Sequence, residues 1–105
     1  MHVLFGACTT DIEEARVWVA ALSGLSPDPR INEYNGQYYS FVDVGSGERM
    51  KLMSSVCNDE DGSYPAESDF ADWKILLQVN GTNVHSRVLM ALESQPEKFR
   101  KLRSS

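Results

Sequence analysis

The sequence predicts an α+β fold, an antiparallel or mixed four-stranded sheet with two helices in the order β-α-β-β-β-α. Three observations point there. An apolar run, Val3 to Cys8, leads at once into an amphipathic helical pattern. A segment rich in aromatic and β-branched residues, Gln37 to Val44, and an alternating one, Glu48 to Ser55, flank Gly45-Ser46-Gly47. A further strand pattern, Trp73 to Val79, precedes an Asn80-Gly81 turn and a second helical stripe. With 105 residues, 42% of them apolar and 24% charged, the chain has the size and composition of one folded domain, 1–105.

Val3 to Cys8 suits a buried strand, and Cys8, at the end of that run, is expected in the core. Thr10 and Glu13 have capping-box spacing, and Asp11 and Glu14 add negative charge at the positive end of the helix dipole. Ile12, Ala15, Val19 and Leu22 then recur at helical intervals with Trp18 alongside, until Gly24 ends the helix. Leu25 to Gly36 contains Pro27, Pro29 and Asn35-Gly36, and reads as a connection. Gln37 to Val44 is a strand with Tyr39 and Phe41 on one face and Tyr38, Val42 and Val44 on the other. Glu48 to Ser55 alternates Met50 and Leu52 with Arg49 and Lys51, completing a hairpin.

From 56 to 72 the pattern lapses into a long acidic loop. Trp73, Ile75, Leu77 and Val79 then share one face of a strand, and a helix beginning near Thr82 buries Val84, Val88, Ala91 and Leu92. Leu22 and Val88 are both expected on buried helix faces, where an introduced aspartate unfolds the protein. Ser94 and Pro96 close the second helix, and 96–105 is a basic tail in which Phe99 and Leu102 pack while the charges stay solvated.

Composition excludes several classes. No apolar run approaches the roughly 20 residues of a membrane helix, and Met1 to Phe5 lacks the marks of a signal peptide, so a soluble cytoplasmic protein is expected, without a membrane partner. A net charge of −5 repels a phosphate backbone and argues against direct nucleic-acid binding. Two cysteines are too few for a disulfide framework or a four-ligand zinc site. His2 and His85 belong to no short-range ligand pair, so no metal and no cofactor is expected. A nucleophile would need Cys8 or Cys57 with His85, but Asp59, Glu60 and Asp61 beside Cys57 suppress its thiolate. No catalytic residues are assigned, and a non-enzymatic protein is expected.

What remains is the placement of charge. Residues 1–72 hold thirteen acidic and four basic side chains, whereas 73–105 hold two acidic and six basic. Asp59, Glu60, Asp61, Glu67, Asp69 and Asp72 fall within fourteen residues without a basic one, and Tyr64 and Phe70 are interleaved. Such a stretch serves either as a solvated loop or as a docking surface whose carboxylates steer a basic partner while an aromatic anchor is desolvated on contact.

In size, element order and this acidic segment, the chain resembles the bacterial immunity proteins of contact-dependent growth inhibition and related toxin systems. The resemblance implies a cytoplasmic toxin inhibitor whose partner is one cognate toxin domain, often a nuclease, held by direct protein–protein binding. On that account Asp59, Glu60, Asp61, Tyr64, Glu67, Asp69 and Asp72 make the contacts. The alternative resemblance is to half of a glyoxalase-like module, which implies a small-ligand or metal-binding dimer with His2, Glu48 and Tyr38 to Phe41 lining a cleft. A ligand-induced thermal shift separates the two.

Overall fold

The computed structural model describes residues 2–32, 36–54, 56–59, 62–65, 73–82 and 85–104, with the backbone alone at 32, 36–37, 56–59 and 62–65. The elements are β1 (His2–Ala7), α1 (Ile12–Ser23), β2 (Asp28–Asn32), β3 (Gly36–Val42), β4 (Arg49–Ser54), β5 (Val56–Asp59), β6 (Gly62–Pro65), β7 (Ile75–Asn80), α2 (Arg87–Glu93) and β8 (Phe99–Ser104). Six strands form one antiparallel sheet in the order β2-β3-β4-β7-β1-β8, and β5 pairs with β6 separately. The central β4-β7-β1-β8 part, served by α1 and α2, has a split β-α-β arrangement. The β2–β3 hairpin widens it.

The α+β class and both helices agree with the sequence, but the sheet has six strands rather than four. Both additional strands lie at its edges. β2 falls in the segment read as a connection; Pro29 has no N–H to donate, which an edge strand tolerates. β8 falls in the segment read as a basic tail, where Arg100, Lys101 and Arg103 obscure alternation because charge is the usual dressing of an edge. The expected loop at 56–72 is likewise interrupted by the β5–β6 hairpin, while 60–61 and 66–72 lie outside the described residues.

One sheet face carries both helices. Val3, Phe5, Phe41, Met50, Leu52, Leu77, Val79 and Phe99 from the strands pack with Ala15 and Val19 of α1 and Val88, Leu89 and Leu92 of α2. A buried side chain of this size contributes about 1.5–3 kcal/mol relative to exposure, so this layer dominates stability. Ile12, Trp18 and Leu22 are only half-buried at its margin, and Trp18 meets Phe99 edge-on with ring centroids 5.9 Å apart. In α2 the buried stripe includes Leu89, whereas Ala91 is half-buried and Val84 lies outside the described residues. That helix starts at Arg87, not near Thr82, because the Ser86 hydroxyl caps it by accepting from the Leu89 amide at 3.1 Å.

The opposite face buries a smaller cluster, Leu4, Met53 and Leu76, packed by Tyr38, Trp73 and Leu102. Trp73 therefore does not share a face with Ile75, Leu77 and Val79. It precedes the first residue of β7, so strand alternation does not reach it. Cys8 is exposed rather than buried, since it follows the last residue of β1 and its Sγ lies 3.9 Å from the Pro96 carbonyl oxygen.

The cap of α1 also differs from the expected box. Asp11 is the N-cap and accepts from the Glu13 amide at 2.9 Å, while Thr9 Oγ1 accepts from the Asp11 amide. Gly24 closes the helix in the left-handed conformation, φ 72°, as a residue without a Cβ readily does. Asp11→Ala is expected to cost about 1 kcal/mol in urea unfolding and Thr10→Ala to leave the midpoint unchanged. The reverse order would restore the Thr10 cap.

Candidate functional site

The predicted partner-binding residues divide at the boundary of the described residues. Asp59 ends β5 opposite Gly62, and Tyr64 lies in β6 opposite Cys57. Glu60, Asp61, Glu67, Asp69 and Asp72 lie outside the described residues. What the backbone adds is an entry to the acidic segment: β4 ends at Ser54, and the chain continues into a hairpin whose hydrogen bonds are separate from those of the six-stranded sheet.

The residues of the alternative cleft are not brought together. Glu48, only 6% exposed, belongs to the helix-covered side, where Ser86 Oγ donates to its Oε2 at 2.5 Å and Ser46 Oγ donates to its Oε1 at 3.2 Å. Those hydroxyls tie the β3–β4 turn to the start of α2, satisfying a carboxylate that burial would otherwise make costly. Tyr39 and Phe41 face the same layer. His2 stands on the other face, its Nδ1 donating to Asn80 Oδ1 at 2.6 Å. His85 is exposed and precedes α2. Among the described residues no three His, Cys, Asp or Glu side chains are grouped as metal ligands, and no helix is long and apolar enough to cross a membrane.

Strand register gives the helix-free face three rows that sequence inspection missed. One runs Val42, Arg49, Asn80, His2; the next Asp28, Ser40, Lys51, Gln78, Leu4, Arg103; the third Arg30, Tyr38, Met53, Leu76, Gly6, Arg100. Asp28 is the single carboxylate of these rows, and Arg30 pairs with it at 2.7 Å. Lys51 Nζ lies 4.6 Å from the centroid of the Tyr38 ring. The signal was hidden because these cations come from three strands, β2, β4 and β8, that only pairing brings together.

One polar cluster joins the acidic first turn of α1 to the sheet. The Tyr39 hydroxyl donates to Glu13 Oε1, Arg16 Nε donates to Glu13 Oε2 at 2.9 Å, and the guanidinium stands 5.6 Å from the Tyr39 ring centroid. The Tyr39 bond, then the Arg16 bond, lowers the Glu13 pKa. The Glu13 bond, then burial, raises that of Tyr39. A lowered carboxyl pKa means that Glu13 stabilises the fold above the ordinary carboxylate range and loses that contribution as pH falls through its folded value. Tyr39→Phe is therefore expected to raise the Glu13 titration midpoint, read by carboxyl NMR. It is also expected to lower stability more at about pH 7 than at about pH 3. An unmoved Glu13 midpoint contradicts the assigned bond.

No protein-family model and no curated protein matches the chain.

Proposed function

We propose that this chain is a non-enzymatic binding protein, an immunity protein that neutralises a cognate bacterial toxin domain by direct contact through its acidic segment. The observation that carries the reading is the run of six carboxylates in 59–72 without a basic residue, in a chain whose remaining acids are more dispersed. Opposed charge speeds encounter with a basic partner. A row of carboxylates also competes for the cationic groove a nuclease offers to phosphates. Tyr64 supplies an aromatic anchor amid that charge. The acidic segment starts from the β5–β6 hairpin, which pairs separately from the six-stranded sheet. The fold on this account is a scaffold, and inhibition is steric and electrostatic.

The triple replacement Asp59→Lys, Glu60→Lys and Asp61→Lys tests it. Association with the cognate domain is expected to slow by roughly tenfold or more at low salt, with a much smaller change in dissociation. The urea midpoint is expected to move little, as for surface substitutions generally. Unchanged association kinetics would place the interface elsewhere.

A further inference from the structure

A cavity of about 390 Å³ opens where the end of α1, the turn between β3 and β4 and the start of α2 meet. Leu22, Ser23, Asp43, Arg87, Val88 and Ala91 line it. Leu22, Val88 and Ala91 supply an apolar wall, and the Ser23 hydroxyl is committed to α1, donating to the Val19 carbonyl at 2.7 Å and accepting from the Leu25 amide at 3.1 Å. The charge comes from Asp43 and Arg87. Asp43 is held by its turn: its amide donates to the Glu48 carbonyl, its carbonyl accepts from the Gly47 amide, and its Oδ1 accepts from the Gly45 and Ser46 amides at 3.0 and 3.4 Å. Those bonds leave its Oδ2 uncommitted. The Glu48 side chain accepts from the Ser86 hydroxyl at 2.5 Å, and Ser86 caps the helix that Arg87 begins, so a buried hydrogen bond fixes the wall bearing Asp43 against the wall bearing Arg87. The Arg87 guanidinium has no ion pair or hydrogen bond among the described residues, and none joins it to Asp43. Two opposite charges therefore line one cavity without neutralising each other.

We propose that this cavity binds a small zwitterion, a free α-amino acid with an apolar side chain, its ammonium group on Asp43 Oδ2 and its carboxylate on Arg87. A simple anion or a simple cation would meet one charge of its own sign here, whereas a molecule carrying both charges pairs with each. The tie between Glu48 and Ser86 holds the two walls before a ligand arrives, which lowers the ordering cost of binding. Leu22, Val88 and Ala91 receive the apolar side chain, and the volume lies toward the small end of the usual range for ligand cavities. The site uses no residue of the acidic segment, and its failure would leave the toxin-binding reading untouched.

The test is an NMR titration of the full-length labelled chain with L-leucine and, separately, with two analogues that each lack one charge, isoamylamine and 4-methylpentanoate, at constant ionic strength. Saturable shifts of the Val88 and Ala91 amides and the Leu22 methyl groups are expected with leucine, and either analogue is expected to bind at least roughly tenfold more weakly. Arg87→Gln, at an exposed position, and Asp43→Asn, which keeps an acceptor for the turn amides, are each expected to weaken leucine binding roughly tenfold. Arg49→Gln, on the helix-free face, is expected to change nothing. Shifts that never saturate would overturn the proposal. Analogues that bind as tightly as leucine, or leucine binding that survives Arg87→Gln unchanged, would also overturn it, reducing the cavity to an apolar crevice that reads neither charge.

Discussion

Leu77→Asp is expected to abolish the cooperative unfolding transition. Leu77 lies in β7, paired on both sides by β1 and β4, and its side chain is fully buried beneath the helices. The described contacts of that layer are apolar, and an ionised carboxylate placed there must be solvated by opening the structure or neutralised at a cost of several kcal/mol, roughly. Total stability for a domain is only about 5–15 kcal/mol. The outcome is read as loss of the sigmoidal urea curve and of NMR dispersion. Burial then grades the same substitution elsewhere. Val88→Asp, at the margin of the layer, is expected to be severe. Leu22→Asp is expected to be milder, because Leu22 is half-buried and beside solvent, although helical spacing alone gave the two equal weight. A Leu77→Asp protein with native dispersion would mean that the helix-covered layer is wrongly assigned.

The second large effect concerns the other face. Gly6→Ala is expected to destabilise the protein by about 1–3 kcal/mol, the usual consequence of overpacking. A Cβ on Gly6 would lie 2.4 Å from Cδ2 and Cε3 of Trp73, closer than carbon atoms can approach, so the indole must move. Gly6 is opposite Leu76, and Trp73 lies over this pair as part of the cluster formed by Leu4, Met53 and Leu76. Displacing the ring uncovers that cluster, which would be seen as a red shift in tryptophan emission. Trp18, lodged against Phe99 in the other layer, provides the unchanged background. Equal stability and equal emission would show that Trp73 does not cover Gly6.

These two sites mark how far the sequence could be read. Leu77 was legible because strand alternation and its apolar neighbours are local, as were Gly24 at the end of α1 and the hairpin around Gly45-Ser46-Gly47. The packing of Trp73 on Gly6 was not, because nothing in the spacing of a tryptophan and a glycine 67 positions apart encodes which face each takes. Edge strands were missed for a related reason: an edge tolerates Pro29 and favours Arg100 and Arg103, the residues that remove a strand's signature. The acidic segment is the reverse case. Its charge is evident in one dimension, whereas the cations of the helix-free face, carried by β2, β4 and β8, share that face only when the strands of the sheet are laid side by side.

If this chain is an immunity protein, co-expression with the polypeptide encoded immediately beside it reveals the pair. The neighbour alone is expected to arrest growth, this chain to relieve the arrest, and the two to purify as a complex which forms more slowly as salt is raised. A neighbour that is harmless alone and does not purify with this chain would contradict it.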